Sequence, residues 1–489
     1  MDNRPDGAPL VSGAATALAI VAVIVLGTIA FALLGVHRIR MDPAQYIVGG
    51  RSFGTIFLWV LLAGEIYTTF TFLGIAGLAY SQGAPAYYVM AYGTCAYVIA
   101  YFITPRIWRV GKDHNLLTGP DFFETRFNSR ALGVGVAVVM FVMIVPYVAI
   151  QLSGLQIILR IAGYGTYNAT ASVCIAFLIL ALFVFSAGLR GTAWASVIKD
   201  VLVLAAVVFA GVAIPMHFFG SPSAMIQRIL DTHPQMLALP PGAAYHGTTW
   251  FWSTVLLSGV GFFMGPHSFN AVYAARSGDT LRRNAMLLPF YQCLVSLMIF
   301  AGLSAALIEP GLKGPAVDQS FLLVVQRHYS PWILGFVASA GALAALIPAS
   351  ALLLAGASVI TKNVAGDAFG IATSGRSQTM LTRILVLVVA VLALGVWLVA
   401  QKTVVELLLV YYNGISQFFP GVVATFVSRR LTAWAVGSGI AAGLAVAVPL
   451  AMLNINPLGT NPGFVGLVAN VIVLIAISLL APAPQRSTL

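Results

Sequence analysis

Thirteen runs of roughly twenty apolar residues, spaced along the whole chain, limit what it can fold into more than any other feature. At about 1.5 Å per residue, such a run coiled as a helix crosses a hydrocarbon layer of about 30 Å. The runs lie near 11–36, 53–80, 84–105, 131–159, 167–187, 191–216, 250–275, 284–308, 331–360, 384–400, 403–426, 431–453 and 464–482. They are continuous, not alternating, which excludes a β-barrel. Apolar residues make up 60% of the chain and charged ones 8%. A soluble fold of this size cannot hide that much apolar side chain. The expectation is an all-α polytopic membrane protein with one transmembrane domain over 1–489. The longest connection, 217–249, is polar and has room for a short interfacial helix.

The net charge of +11 fits the positive-inside bias of membrane proteins, so the bilayer is the expected partner and nucleic acid is not. With the N-terminus outside, eighteen of the 25 Lys and Arg residues fall on inner connections. Six fall outside: Arg4, Arg160, Arg228, Lys313, Arg327 and Lys402. The expected topology is thirteen spans, N-terminus out and C-terminus in, as a multi-pass plasma membrane protein (the inner membrane in a bacterium). The first run lacks a basic leader and reads as a retained span. Cys95, Cys174 and Cys293 all sit in apolar runs and suit neither a disulfide framework nor a metal cluster. There is no metal-ligand spacing, nucleophile elbow or phosphate loop, and the Gly-x-Gly at 259–261 lies inside an apolar run. The chain is read as no enzyme, with no cofactor.

Two runs are interrupted. The second, "FGTIFLWVLLAGEIYTTFTFLGIAGLAY", carries Gly64, Glu65, Thr68, Thr69 and Thr71 where lipid would surround an ordinary span. The seventh, "FWSTVLLSGVGFFMGPHSFNAVYAAR", clusters Gly259, Gly261, Gly265, Pro266 and His267. Gly and Pro loosen a helix, and Pro removes a backbone donor. Interrupted spans at matching positions of two halves mark an inverted-repeat carrier. Unwound backbone there offers carbonyls to a cation and N–H groups to an anion. The sixth run carries a lysine, Lys199, eight residues past its start. A charge at that depth costs about 2.5–3.5 kcal/mol on insertion scales, so a role is expected of it.

"YIVGGRSFG" at 46–54, the second run, "VPYVAIQLSGLQIIL" at 145–159 and "GPHSFNAVYAARSGDTLRRNAMLLPFY" at 265–291 resemble the sodium:solute symporter family. "TPRIW", "GPDFFETRFNSR", "VPYVAIQL" and "RRNAMLLPFY" look most like its bacterial monocarboxylate permease branch. The resemblance implies the leucine-transporter fold, a 5+5 inverted repeat with extra helices. The repeats would be 53–216 and 250–426, with 11–36 and 431–482 added. It also implies a cation site between the second and ninth runs, with carbonyls from Gly64, Tyr67 and Ala344, and a solute site around Glu65, Thr68, Thr69, Thr71, Gly259 and Phe262.

The sequence departs from that family where the ion should bind. Family members usually offer two hydroxyls from the ninth run; "AALIPAS" at 344–350 puts Ile347 and Pro348 there. Neither supplies the oxygen a hard cation needs. An aspartate of the sixth run is replaced by Ser196, and Lys199 stands one turn later. An ammonium carries sodium's charge and can reach the carbonyls of the second and ninth runs. A buried amine can also load and release a proton. These departures point to a symporter for a small organic solute, co-transporting H+ in place of Na+. The branch implies a monocarboxylate such as lactate, pyruvate, acetate or propionate. With no buried arginine at hand, the threonines and backbone N–H groups would hold it. The alternative keeps sodium, with Ser350 or Ser196 as ligand and Lys199 structural. A non-transporting membrane sensor ranks below both. As ion-pair partner for Lys199, Glu65 is preferred to Asp200, because neighbours on a helix diverge by about 100°. His267 is read as a cap near the inner end of the seventh run, and Tyr147 and Tyr411 as packing residues.

Overall fold

A computed structural model describes residues 8–371, 375–399, 403–428 and 431–480, side chains of 8–10 excepted. Arg4, Lys402, Arg429, Arg430 and Arg486 of the charge count, and the tail beyond 480, lie outside the described residues. The described chain is helical, apart from an isolated parallel bridge between Phe53 and Ala275. The principal helices are α1 (Ala8–Val36), α2 (Thr55–Ile66), α3 (Ile75–Gln82), α4 (Tyr88–Asp113), α5 (Gly119–Phe127), α6 (Arg130–Ala162) and α7 (Ala169–Val208). Then follow α8 (Thr248–Gly261), α9 (Pro266–Ala274), α10 (Gly278–Cys293), α11 (Ser296–Ile308), α12 (Pro331–Val359), α13 (Gly375–Val399), α14 (Val404–Ile415), α15 (Ala433–Met452) and α16 (Pro462–Leu480). The 217–249 connection holds the amphipathic helix Pro222–Thr232, which buries Met225 and Ile229.

By length and apolarity, ten helices of the described residues can each cross a membrane, or eleven when the bent pair α2 and Phe70–Gln82 counts as one span. This is fewer than the thirteen apolar runs, and two places account for the difference. One helical stretch runs 51 residues, Ala169–Phe219. At about 1.5 Å per residue it would be more than twice the thickness of a bilayer core. It does not run straight: Gly188 takes φ 57° and ψ −162°, a conformation open to glycine and strained for other residues. The fifth and sixth runs meet at that turn. The other place is the seventh run, where α8 and α9 are separate short helices.

α12 is the core of the molecule. Its residues from Leu334 to Val359 are nearly all buried, and it packs against α1, α6 and α7. A helix apolar on every side belongs in such a position. α15 and α16 pair with each other at the end of the chain. The helices that meet α12 leave their exposed apolar residues, such as Val23, Val138 and Leu178, on the outer surface, as lipid contact requires.

Candidate functional site

α2 stops in mid-span. Tyr67 leaves the helical region (φ −84°, ψ 86°), and the chain resumes in a wide turn, Phe70–Gly74, before α3. The halves are bent by 52°. A break of this kind releases carbonyls from the helical ladder. The Ile66 carbonyl accepts from the Thr68 amide at 3.1 Å and from the Thr71 hydroxyl. The Gly64 and Tyr67 carbonyls accept from Lys199.

Lys199 comes from α7 and is completely buried. Its Nζ donates to the Gly64 carbonyl at 2.7 Å and the Tyr67 carbonyl at 3.2 Å. Ser196, one turn earlier, lies against Gly64 and donates to the Thr192 carbonyl at 3.0 Å. The ammonium thus occupies the mouth of the first break. Its ion-pair partner corrects the expectation from the sequence. Asp200 Oδ1 lies 2.9 Å from Nζ, whereas Glu65 Oε1 is buried without a hydrogen-bond partner among the described residues. The rule that neighbours diverge holds for the Cβ directions, but the four-carbon lysine stem curls back past it.

Ala344, Ile347 and Pro348 lie buried on α12. Pro348 has no N–H, so the Ala344 carbonyl four residues earlier loses its helical donor. That carbonyl is nevertheless not among the three partners of Lys199. Ser350, the oxygen of the sodium alternative, is bonded to the Ile347 carbonyl at 2.6 Å and to Thr192 Oγ1 at 2.8 Å.

The threonines of the first break are largely engaged by the protein. Thr69 donates to Gln151 Oε1 of α6 at 2.8 Å, and Thr71 to the Ile66 carbonyl. Thr68 Oγ1 accepts from the Phe70 amide at 3.2 Å and faces the Tyr147 hydroxyl. Gly259 sits at a helix crossing with α4, against Cys95 and the Tyr92 carbonyl. Phe262 joins an aromatic cluster with Tyr92 and Tyr97. At the second break, Gly265 lies against the Tyr411 hydroxyl. His267 is the second residue of α9, not a corner cap: it is buried and packs on Tyr147 and Tyr411, with ring centroids 5.7 and 6.2 Å apart.

Between the breaks, several buried polar atoms have no hydrogen-bond partner among the described residues: Glu65 Oε1, Gln151 Nε2, His267 Nδ1 and Tyr411 Oη. Buried polar groups are ordinarily satisfied, so a polar solute is a fitting partner for this set. Sequence reasoning missed Gln151, ranked Asp200 below Glu65, and placed Tyr147, Tyr411 and His267 in structural roles. The signal for Gln151 was present: it is a polar residue inside an apolar run.

A second feature lies outside the spans. Asp318, in the short turn Gly314–Gln319, accepts the Val404 amide at 2.9 Å at the start of α14 and rests on Gly77 of α3. It borders a cavity of about 460 Å³ together with Ser153, Gln156, Arg160 and Gln319. Burial pushes its carboxyl up to about 7, against the Val404 amide and with help from Glu406. A carboxyl raised on folding favours the folded state at acid pH. That contribution is lost as pH rises through the folded value. The melting temperature of the wild type is therefore expected to fall more steeply between about pH 4 and about pH 7 than that of Asp318→Asn. Equal slopes in a thermal-shift titration would remove this role.

A family model described as sodium:solute symporter family matches residues 46–447. The "Uncharacterized symporter YhjB" of Bacillus subtilis is 36% identical over 90% of this chain and 92% of its own. The "Monocarboxylate transport permease protein" of Rhizobium johnstonii is 28% identical over 90% and 91%. A solved Na+-coupled sialic acid symporter, substrate-bound and outward-open, superposes with a TM-score of 0.80 at 14% identity. It covers 96% of this chain and 99% of its own, and the likeness is one of fold.

Proposed function

The chain belongs to the sodium:solute symporter family, and from that premise we propose that it imports a small monocarboxylate together with a proton, by alternating access. The observation that carries this reading is the Lys199 ammonium, seated on the Gly64 and Tyr67 carbonyls, where the resemblance implies a bound ion. We read thirteen spans in the chain, N-terminus out, by counting the turn at Gly188 as a span boundary and joining α8 and α9, like the halves of the second run, into one broken span. The repeats are then 53–216 and 250–426 of a leucine-transporter fold, in the inner membrane if the cell is bacterial.

The coupling follows from charge. A protonated Lys199 supplies the positive charge that holds the first break to α7. Loss of its proton weakens that hold, because charge-assisted hydrogen bonds are about twice as strong as neutral ones. The solute's carboxylate is received between the breaks, among Thr68, Gln151, His267 and Tyr411. A proton carried with a mono-anion makes the step electroneutral, so the inside-negative potential, about 2.3 kcal/mol per charge per 100 mV, does not oppose import.

Proteoliposomes loaded with purified protein and given labelled lactate, pyruvate, acetate and propionate separately test this. With the outside acid and sodium absent, accumulation of the carried acid is expected to reach about tenfold per pH unit. Strict dependence on a sodium gradient would overturn proton coupling and favour the sodium reading. Transport of none of the four acids by either gradient would overturn the monocarboxylate assignment.

A further inference from the structure

We propose that Asp200 is the proton partner of Lys199, exchanging the coupling proton with it inside the membrane. The inference rests on the reading of Lys199 as the coupling group. Both residues are buried, 0% and 4% exposed, and Nζ stands 2.9 Å from Oδ1. The contact is close but poorly directed. Nζ donates to the Gly64 and Tyr67 carbonyls, while Asp200 faces the ammonium and the Tyr291 hydroxyl. Asp200 is therefore a buried carboxylate in direct charge contact with the ammonium.

The titratable groups facing the pair are Glu65 and Tyr67 from α2 and Tyr291 from α10. The Tyr67 and Tyr291 rings pack edge to face at 4.6 Å, and the Tyr291 hydroxyl faces Asp200. These rings close the pair off on one side.

The step balances within the pair. The Nζ–H bond breaks and an Oδ1–H bond forms. The ammonium becomes an amine and the carboxylate a carboxylic acid, with net charge zero before and after. No charge is created in a medium of low dielectric, where a lone ion is costly. The amine then holds Gly64 and Tyr67 by neutral hydrogen bonds only, and the carboxylic acid gives its proton to water when the site opens to the inside. A purely structural carboxylate would neutralise Lys199 permanently and take no part in the pH dependence.

The test compares wild type, Asp200→Asn, Asp200→Glu and Lys199→Ala, each full length in proteoliposomes, using the acid that the wild type accumulates best among lactate, pyruvate, acetate and propionate. Asp200→Asn is expected to lose pH-driven accumulation by at least about tenfold while retaining exchange of labelled for unlabelled acid, which needs no net proton release. Asp200→Glu is expected to accumulate with a displaced pH midpoint. A parallel infrared titration of the purified protein, which needs no solute, is expected to show a carboxylic acid absorption in the wild type of which one component is lost in Asp200→Asn. Unchanged accumulation and pH profile in Asp200→Asn, or the same carboxylic acid band in both proteins, would overturn the proposal. So would an unshifted midpoint in Asp200→Glu. If instead Lys199→Ala accumulates normally, the reading of Lys199 itself fails, an outcome distinct from these.

Discussion

Lys199→Ala is expected to abolish pH-driven accumulation, leaving vesicles no better than empty ones, and to destabilise the protein as well. The two losses have different causes. The Gly64 and Tyr67 carbonyls lose their donor, so the charge that ties the first break to α7 is gone. Asp200 meanwhile keeps a buried carboxylate with its counter-ion removed. Breaking one side of a buried pair costs about 3–5 kcal/mol, because the remaining charge is stranded. Neutralising both sides avoids that cost. Lys199→Ala with Asp200→Asn should therefore melt close to the wild type and still fail to accumulate. Melting curves and uptake on the same preparations separate the effects. If the double variant recovered accumulation, the ammonium would have no part in coupling.

The ease of locating Lys199 in the sequence, and the difficulty of assigning its partner, have one origin. A cation in an apolar run is conspicuous because its cost is local and can be read residue by residue. The breaks are conspicuous for a similar reason, since Gly64 and the Gly265-Pro266 pair weaken the helix at their own positions. What holds the lysine depends on side-chain reach. Spacing on a helix describes Cβ directions, and Asp200 was set aside on that basis although the lysine stem spans the gap. The threonines show the opposite limit. Their composition marks the break, but Thr69 is taken up by Gln151 and Thr71 by the Ile66 carbonyl, contacts that only the tertiary arrangement decides. Gly259 also looked like part of a break and instead lets α8 approach α4. The helix count differs by the same logic. The turn at Gly188 leaves the backbone hydrogen-bonding ladder nearly continuous, so the two runs join into one 51-residue stretch.

Gly302→Ala is expected to destabilise the protein, whereas Gly27→Ala leaves it unchanged or slightly more stable. Gly302→Val should yield little folded protein. Both glycines are helical, Gly302 in α11 and Gly27 in α1, so alanine brings each the same intrinsic gain of about 0.8–1 kcal/mol. Their surroundings differ. A Cβ on Gly27 meets nothing within 4 Å. A Cβ on Gly302 would fall on the Ala76 carbonyl oxygen of α3, with that residue's carbonyl carbon and Cα each 2.9 Å away. These are main-chain atoms, so no side chain can rotate aside, and α3 and α11 must separate. Overpacking of this kind costs about 1–3 kcal/mol and outweighs the helical gain. α3 is also the second half of the broken second run. Moving it off α11 disturbs the geometry at Tyr67 and the seat of Lys199, so Gly302→Ala should also lose uptake in the fraction that remains folded. Melting temperatures of the two variants in one detergent decide the matter: a Gly302→Ala protein as stable as Gly27→Ala would mean that α3 and α11 do not pack backbone to backbone.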